Sequence, residues 1–230
     1  MKANRRSARV LLAVLGLAAI GTSVAPTHAY THRCPDLNAE VEAPGPDDAK
    51  AACTGAAAAA RFLTDQGLDA SERIEMRVVA TLPVPAHPFA AGSYVHAERR
   101  VYLLSFSEFQ KQEEIAQLSV SAGMYRSMIA HEAAHAITAR NFTVARPSLR
   151  AHEYIACTTQ FAAMPQDERE RALGRFTGEG FDDETQMNTT IYLMNPAWFC
   201  VQAYRHFLRP ENGRAFVQRV LAGLALREEE

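Results

Sequence analysis

The sequence predicts an α+β domain that is mostly helical, with a small antiparallel sheet ahead of its central helices. Apolar and polar side chains alternate over residues 74–80 and 92–105, which is typical of half-buried strands. Elsewhere, alanine-rich stretches and apolar side chains at three- and four-residue spacing favour helices. We expect a single domain, because about 200 residues follow an N-terminal leader and that length suits one core.

The first half of the chain is predicted to contain a helix over residues 47–66, a strand over residues 74–80 and a hairpin over residues 92–105. Asp47 or Asp48 can cap the helix, and Gly67 ends it. The hairpin turns near residues 97–99. Three prolines before the hairpin break the chain, namely Pro83, Pro85 and Pro88.

The second half is predicted to be helical, with helices over residues 124–139, 151–164, 167–175, 184–194 and 196–208. Pro147 marks the loop between the first two of these helices, and Pro165 ends the second. Asn195 and Pro196 start the fifth by cap and first-turn preferences. Asn212 is the expected cap of one last helix.

The N-terminus is predicted to be a signal peptide over residues 1–29. Four basic residues precede an apolar stretch at residues 10–20, and residues 27–29 offer small side chains at the positions of a cleavage site. The apolar stretch is about half a membrane span, so no permanent membrane anchor is expected. The protein is therefore expected to be secreted or periplasmic, with residues 30–230 as its single domain.

The charge balance argues against nucleic acid as a partner. The chain has a net charge of −2, and residues 1–29 carry four basic and no acidic side chains, so the exported part has a charge of about −6. A negative protein surface disfavours binding to nucleic acid or to an acidic membrane.

The even number of cysteines predicts two disulfides in an oxidising compartment. Of the three possible pairings, Cys34–Cys53 with Cys157–Cys200 is favoured. The first bridge would tie the mature N-terminus to the first helix, and the second would fix the helix of residues 151–164 against the C-terminal region. A four-cysteine zinc site is the weaker alternative, because the spacings lack paired CxxC units.

The most informative segment is His131-Glu132-Ala133-Ala134-His135, an HExxH motif within a predicted helix. Residues four apart lie on one helix face, so His131 and His135 can reach the same ion. Zn–N bonds of about 2.0–2.1 Å fit that spacing. Glu132 lies about 100° round the helix from His131 and is too far round to be a ligand. It fits instead the general base that takes a proton from an attacking water.

A third ligand is expected on the next helix, where Glu153 follows His135 after a loop. Two near-antiparallel helices would aim Glu153 at the two histidines and leave one coordination position open, as catalytic zinc requires. His152 is the main competitor, but adjacent helical residues point about 100° apart, so only one of the pair can face the ion. Asp182 and Asp183 are further alternatives.

The HExxH motif with a ligand Glu on the next helix resembles the pattern of the gluzincin zinc metallopeptidases. The segment from Glu153 to Pro165, with Ala156 and Phe161-Ala162-Ala163-Met164, further resembles the minimal gluzincin domains of bacterial anti-repressor proteases. The resemblance covers about residues 94–165. It implies a zincin-like metallopeptidase fold, a Zn²⁺ cofactor, and a site made of one base and three ligands: Glu132, His131, His135 and Glu153.

The resemblance also implies a group downstream of the metal helices that stabilises the developing oxyanion. Tyr192 and His206 are the leading candidates, with Tyr204 and Tyr154 as alternatives, and each also fits a structural role. In such folds a strand placed like the hairpin runs beside the active-site helix and can pair with an extended substrate. A purely structural hairpin is the alternative.

The sequence thus predicts an exported zinc-dependent peptidase that acts on a peptide or protein substrate with Glu132 as general base. The alternative is a secreted module that keeps zinc for structure or interaction and has no catalytic activity. An intact Glu132 counts against this alternative, because a structural zinc site needs no base and usually closes its fourth position.

Overall fold

The structure is a computed structural model that describes residues 30–83, 90–112, 114–115 and 118–227. The predicted signal peptide of residues 1–29 lies outside the described residues, as do Pro85 and Pro88.

Helices are the main element of the described chain. They are α1 (Pro46–Asp65), α2 (Phe106–Gln110), α3 (Ala122–Thr138), α4 (Leu149–Ala163), α5 (Gln166–Gly174), α6 (Thr189–Met194), α7 (Pro196–Phe207) and α8 (Gly213–Leu221). The strands are β1 (Tyr30–Arg33), β2 (Ala39–Ala43), β3 (Ile74–Val79), β4 (Gly92–Val95), β5 (Arg100–Leu104), β6 (Glu114–Ile115) and β7 (Leu118–Ser119). The first five strands form one sheet, and β6 pairs with β7 separately. The predicted α+β class is confirmed.

The five-stranded sheet is mixed and has the order β1-β2-β3-β5-β4. β2 and β3 run parallel because α1 forms a crossover between them. β5 is also parallel to β3, whereas β1 and β4 pair antiparallel at the two edges. The prediction of an antiparallel sheet is therefore wrong in its strand directions. The predicted hairpin joins the sheet through its second strand, β5, and this leaves β4 at an edge.

One face of the sheet is buried and the other carries charged pairs. Along β2 and β3, buried side chains alternate with partly exposed ones, and Val41 and Met76 belong to the core. On the outer face Arg77 donates to Glu42 over 2.7 Å, and Arg100 donates to Glu75 over 2.7 Å. The helices therefore pack on a single face of the sheet.

α1 and α3 lie next to the sheet and pack closely against each other. Gly55 allows this approach, because a Cβ there would stand 2.6 Å from Ile129 Cγ2 and 2.7 Å from the backbone oxygen of Arg126. α4 packs on α3 and α1, and α7 packs on α4. The two helices that carry the predicted metal ligands are thus packed against each other at the centre of the molecule.

Both favoured disulfides are present. Cys34 bonds Cys53 and joins the loop after β1 to α1, and Cys157 bonds Cys200 and joins α4 to α7. Two buried disulfides fit an oxidising environment. Within the described ranges, no helix is long and apolar enough to cross a membrane.

Most of the predicted elements are confirmed, and the differences have local causes. Over residues 184–194 the chain turns first and becomes helical only at Thr189, where the Asn188 side chain caps α6 by accepting from the Ile191 N–H over 2.9 Å. Asn212 precedes α8, but its side chain donates to the His206 carbonyl instead of capping the helix. The strands β1 and β2 were not predicted.

Candidate metal centre

Two serine-capped helices carry the HExxH motif and Glu153. The Ser121 hydroxyl caps α3 by accepting from the Met124 N–H over 2.9 Å, and the Ser148 hydroxyl caps α4 by accepting from the Ala151 N–H over 3.1 Å. Two contacts show that the helices run in opposite directions. Met128 of α3 contacts Gln160 near the end of α4, and His135, later in α3, contacts Glu153 near the start of α4.

His131, His135 and Glu153 converge on one point. The two histidine Nε2 atoms lie 3.2 Å apart. Glu153 Oε2 lies 3.3 Å from His131 Nε2, and Glu153 Oε1 lies 3.6 Å from His135 Nε2. The structure therefore brings together all three residues that the sequence predicts as ligands.

The spacing of these atoms fits a single small cation. Donors held about 2.0–2.1 Å from a tetrahedral zinc ion are about 3.3 Å from one another. The histidine–histidine separation is close to this value, as is the separation of each histidine from its nearer oxygen of Glu153, and one donor atom from each of the three residues lies within 4.8 Å of the others. His131 and Glu153 are buried, and Glu153 Oε2 has no hydrogen-bond partner among the described residues. A buried carboxylate oxygen without a donor is costly unless a cation satisfies it. The group could therefore hold a metal ion, and the two imidazoles with one carboxylate suit zinc.

The pKa shifts of His135 and Glu153 favour the protonation states that bind a metal ion. The pKa of His135 is lowered to about 3, mainly by burial; Glu153 opposes this shift, and the neighbouring imidazoles of His131 and His152 add to it. Burial alone would raise the pKa of Glu153, but His135 and His131 outweigh it and hold that pKa low. A neutral imidazole and an ionised carboxylate are the forms that bind metal.

His131 lies closer to Glu153 than His135 does, and its pKa shifts in the opposite direction. Burial lowers the pKa of His131, but the neighbouring carboxylates of Glu153 and Glu132 outweigh this effect, so the net pKa is raised. The Gln160 side chain also raises it. A proton at His131 would have to leave when a cation binds, so metal binding should be weaker in acid.

Glu132 lies beside the three donors without joining them. The residue is 7% exposed. Burial raises the pKa of Glu132 to about 7, with His131 and a backbone hydrogen bond from Tyr94 lowering it and Glu153 raising it. A carboxylate with this pKa can both accept and release a proton near neutral pH.

The edge strand β4 passes directly over Glu132. Gly92 makes this possible, because a Cβ on it would lie 2.7 Å from Glu132 Cγ and 2.6 Å from the Tyr102 carbonyl oxygen. β4 pairs with β5 on one side, and no other described strand pairs with it. In the sequence, the signal for this contact is a glycine at the start of a predicted strand, which is typical of a close backbone approach.

Tyr192 is the predicted catalytic residue that the structure brings to the centre. Burial raises the pKa of the Tyr192 hydroxyl, and the charge of Glu153 and a hydrogen bond to it raise that pKa further. The phenol is therefore neutral, and its O–H donates to the Glu153 carboxylate. α6 is packed on α4 and α7, which positions this tyrosine beside Glu153.

The other predicted oxyanion candidates lie elsewhere. His206 Nδ1 is 2.8 Å from the Tyr154 hydroxyl, and the His206 ring packs edge-on against Phe216. Tyr204 stacks on Phe161. None of the described contacts of His206, Tyr154 or Tyr204 is with a donor atom of His131, His135 or Glu153.

The competing ligands are also separated from the metal group. Asp182 accepts from Arg209, and Asp183 accepts from the Thr185 backbone and hydroxyl. Both aspartates belong to an exposed loop. Their carboxylates are therefore not ligands in this arrangement.

His152 borders the centre instead of entering it. Its ring centroid lies 4.6 Å from that of Phe142, 5.3 Å from that of His96 and 6.1 Å from that of His135. Burial lowers the pKa of His152 to about 4. The contacts of His152 with His96 and Phe142 could not be predicted from the sequence, because they join three separate parts of the chain.

Comparison with known proteins places this chain in a family but does not assign a function. Residues 39–230 match the family described as "Family of unknown function (DUF6639)", and the chain belongs to that family. No curated protein and no solved structure matches the chain.

Proposed function

We propose that this protein is a zinc-dependent peptidase of the gluzincin type. The observation that best supports the proposal is the division of roles within one turn of α3. His131 and His135 join Glu153 in a three-donor group, while Glu132 is buried beside the group without belonging to it. A site that held zinc only for stability would gain nothing from a second buried carboxylate, whose burial costs free energy.

The donor group would bind Zn²⁺ through His131, His135 and Glu153. When bound, zinc would lower the pKa of a water molecule and polarise the carbonyl of the scissile bond. Three protein ligands leave room for that chemistry, whereas structural zinc sites usually have four.

Glu132 would act as the general base and then as the general acid in this reaction. Its carboxylate accepts the proton of the attacking water and passes it to the nitrogen of the leaving amine. The pKa of about 7 suits both transfers near neutral pH. Burial under β4 excludes bulk water from the carboxylate, so the proton is not lost to solvent.

Tyr192 and β4 would bind the substrate. The neutral Tyr192 hydroxyl would exchange its hydrogen bond to Glu153 for one to the oxygen that becomes negative as the carbonyl is attacked. The side of β4 on which no described strand pairs would offer backbone groups to an extended peptide, and hydrogen bonds of this kind tolerate many side chains. His206 has no part in this proposal, because it contacts Tyr154 and Phe216 instead of the centre.

The site of action is proposed to be outside the cytoplasm. The basic and apolar character of residues 1–29 supports export, and the two disulfides are consistent with an oxidising compartment. Intact mass of the exported protein should show a chain that begins near Tyr30 and contains both disulfides.

Replacement of Glu132 by Gln tests the proposal. The substitution keeps the size of the side chain and leaves all three ligands, so zinc content and folding should be nearly unchanged. Peptide cleavage should fall by roughly 10²–10⁴-fold, because the proton acceptor is lost. The assay presents a broad library of extended peptides to both proteins at matched zinc content and identifies products by mass spectrometry.

Glu170→Gln is the matched control, since Glu170 is an exposed residue of α5 that bonds only Gln166 among described side chains. The control should cleave like the wild type, and a chelator should stop both. Equal cleavage by the Glu132→Gln protein, or no cleavage by the wild type anywhere in the library, would support a zinc-holding module instead.

A further inference from the structure

His131 has one ring nitrogen that the metal centre does not use. Its Nε2 faces His135 and Glu153. Its Nδ1 is buried and has no hydrogen-bond partner among the described residues. An imidazole that binds a metal through Nε2 must carry its remaining proton on Nδ1, and such an N–H nearly always donates to a nearby acceptor.

Gln160 is placed to provide this acceptor. It lies seven residues after Glu153 on α4, so both side chains project from the same face of that helix, two turns apart. α3 runs in the opposite direction, and Gln160 meets it at Met128, three residues before His131. The Gln160 amide is therefore one helical turn along α3 from the His131 ring.

The orientation of the Gln160 amide leaves its oxygen free. The amide nitrogen donates to the Met128 sulfur over 2.9 Å. Sulfur is a weak acceptor and cannot donate, so it is satisfied by the NH₂ end of the amide and not by the oxygen. The amide oxygen has no hydrogen-bond partner among the described residues, and the His131 ring is the next group along α3. The influence of Gln160 on the His131 pKa agrees with this proximity.

We propose that Gln160 is a positioning residue that accepts a hydrogen bond from His131 Nδ1–H and thereby holds His131 Nε2 toward the metal. This inference rests on the proposed zinc centre. Met128 completes the arrangement, because it holds the NH₂ end of the amide and so selects which end faces the histidine. Gln160 touches neither substrate nor metal.

Two substitutions distinguish the effect of the hydrogen bond on zinc affinity from the effect of side-chain packing. Gln160→Leu keeps a side chain of similar volume but removes the acceptor. Gln160→Glu keeps an acceptor at the same position. Zinc affinity, measured by competition with a chromophoric chelator, should fall roughly 10–100-fold in Gln160→Leu. It should stay within a few-fold of the wild type in Gln160→Glu.

The state of the His131 ring provides a second measurement that does not depend on activity. In zinc-loaded protein, long-range ¹H–¹⁵N spectra should show a protonated and slowly exchanging Nδ1 in the wild type and in Gln160→Glu. The same signal should be lost to exchange in Gln160→Leu. Gln218→Leu is the matched control, because that exposed glutamine of α8 also donates outside its helix, to the Gln66 carbonyl.

The outcomes distinguish this inference from the proposed function. Wild-type zinc affinity in Gln160→Leu would overturn the role of Gln160 and leave the zinc centre intact. An equal loss in the Leu and Glu variants would also overturn it, because the effect would then come from packing. Failure of the wild type itself to bind zinc would remove both proposals.

Discussion

At the scale of single residues, the contact between Gly92 and Glu132 controls how closely β4 approaches α3. A Cβ at position 92 would collide with the Tyr102 backbone as well as with Glu132, and a backbone atom cannot rotate away. Gly92→Ala should therefore displace either β4 or the carboxylate. We expect peptide cleavage to fall at least about 10-fold and the free energy of unfolding to fall by about 1–3 kcal/mol.

The zinc content of the Gly92→Ala protein should remain that of the wild type, because Gly92 touches none of the ligands. Gly174→Ala is the control for the substitution itself, since a Cβ at Gly174 would meet nothing within 4 Å. Full activity in Gly92→Ala would mean that Glu132 does not depend on its contact with β4.

His206 should make stability depend on pH, although it lies outside the centre. Burial lowers the pKa of His206 to about 4, below the value of about 6.5 expected in the unfolded chain. Between about pH 4 and about pH 6.5, His206 is protonated in the unfolded chain but neutral in the folded one. The stabilisation is therefore fully present above about pH 6.5 and is lost as pH falls through about 4.

Replacing His206 by Gln removes this titrating group and keeps an acceptor for the Tyr154 hydroxyl. Urea unfolding at pH 7 and pH 4.5 should show a smaller acid-induced loss in the variant than in the wild type. The difference should be on the order of 2 kcal/mol. Identical losses in the two proteins would show that His206 does not remain neutral in the folded state.

At the scale of elements, the Cys157–Cys200 disulfide links the ligand helix α4 to α7. Cys157 follows Glu153 by one turn, so the bridge restrains the segment that holds the carboxylate. Replacing both cysteines by alanine should lower the free energy of unfolding by about 2–4 kcal/mol and should weaken zinc binding.

The Cys34–Cys53 disulfide provides the matched comparison. It joins the loop after β1 to α1 and contacts no ligand. Its removal should lower stability by a similar amount but leave zinc affinity unchanged when both proteins are folded. Equal zinc affinity in the two double variants, measured by chelator competition, would show that the α4–α7 bridge does not support the centre.

The elements also show what the sequence could and could not predict. α3 and α4 were predictable, because their apolar spacing and the Pro147 and Pro165 boundaries are local signals. β1 and β2 were missed, because these short strands carry polar residues such as His32 and Glu42 and form only by pairing with each other and with β3. The expected helix over 184–194 starts late because Asn188 caps it from within.

The same distinction applies to the site. His131 and His135 were predictable because one helix fixes their separation, and Glu153 followed from the antiparallel arrangement of two helices. Gly92 and Gln160 were not predicted, because their importance depends on contacts between elements distant in the chain. His206 was a candidate on sequence position, but α7 points it at Tyr154.

At the scale of the whole molecule, the fold is a mixed sheet with helices on one face and the donor group between the inner helices and the edge strand. In the proposed peptidase, α3 would supply two ligands and the base, α4 the third ligand, α6 the tyrosine and β4 the cover. The three donor residues lie on packed helices and not on loops, so the group is preorganised. A bound ion would therefore link α3 and α4 and stabilise the folded chain as a whole.

Zinc titration of the purified protein tests the central claim most directly. The wild type should bind about one zinc per chain, because three ligands converge at a single point. Glu153→Ala should weaken binding by several kcal/mol, while His152→Ala should not, because His152 borders the centre without facing it. Full zinc occupancy in Glu153→Ala together with its loss in His152→Ala would contradict the assignment of the metal centre.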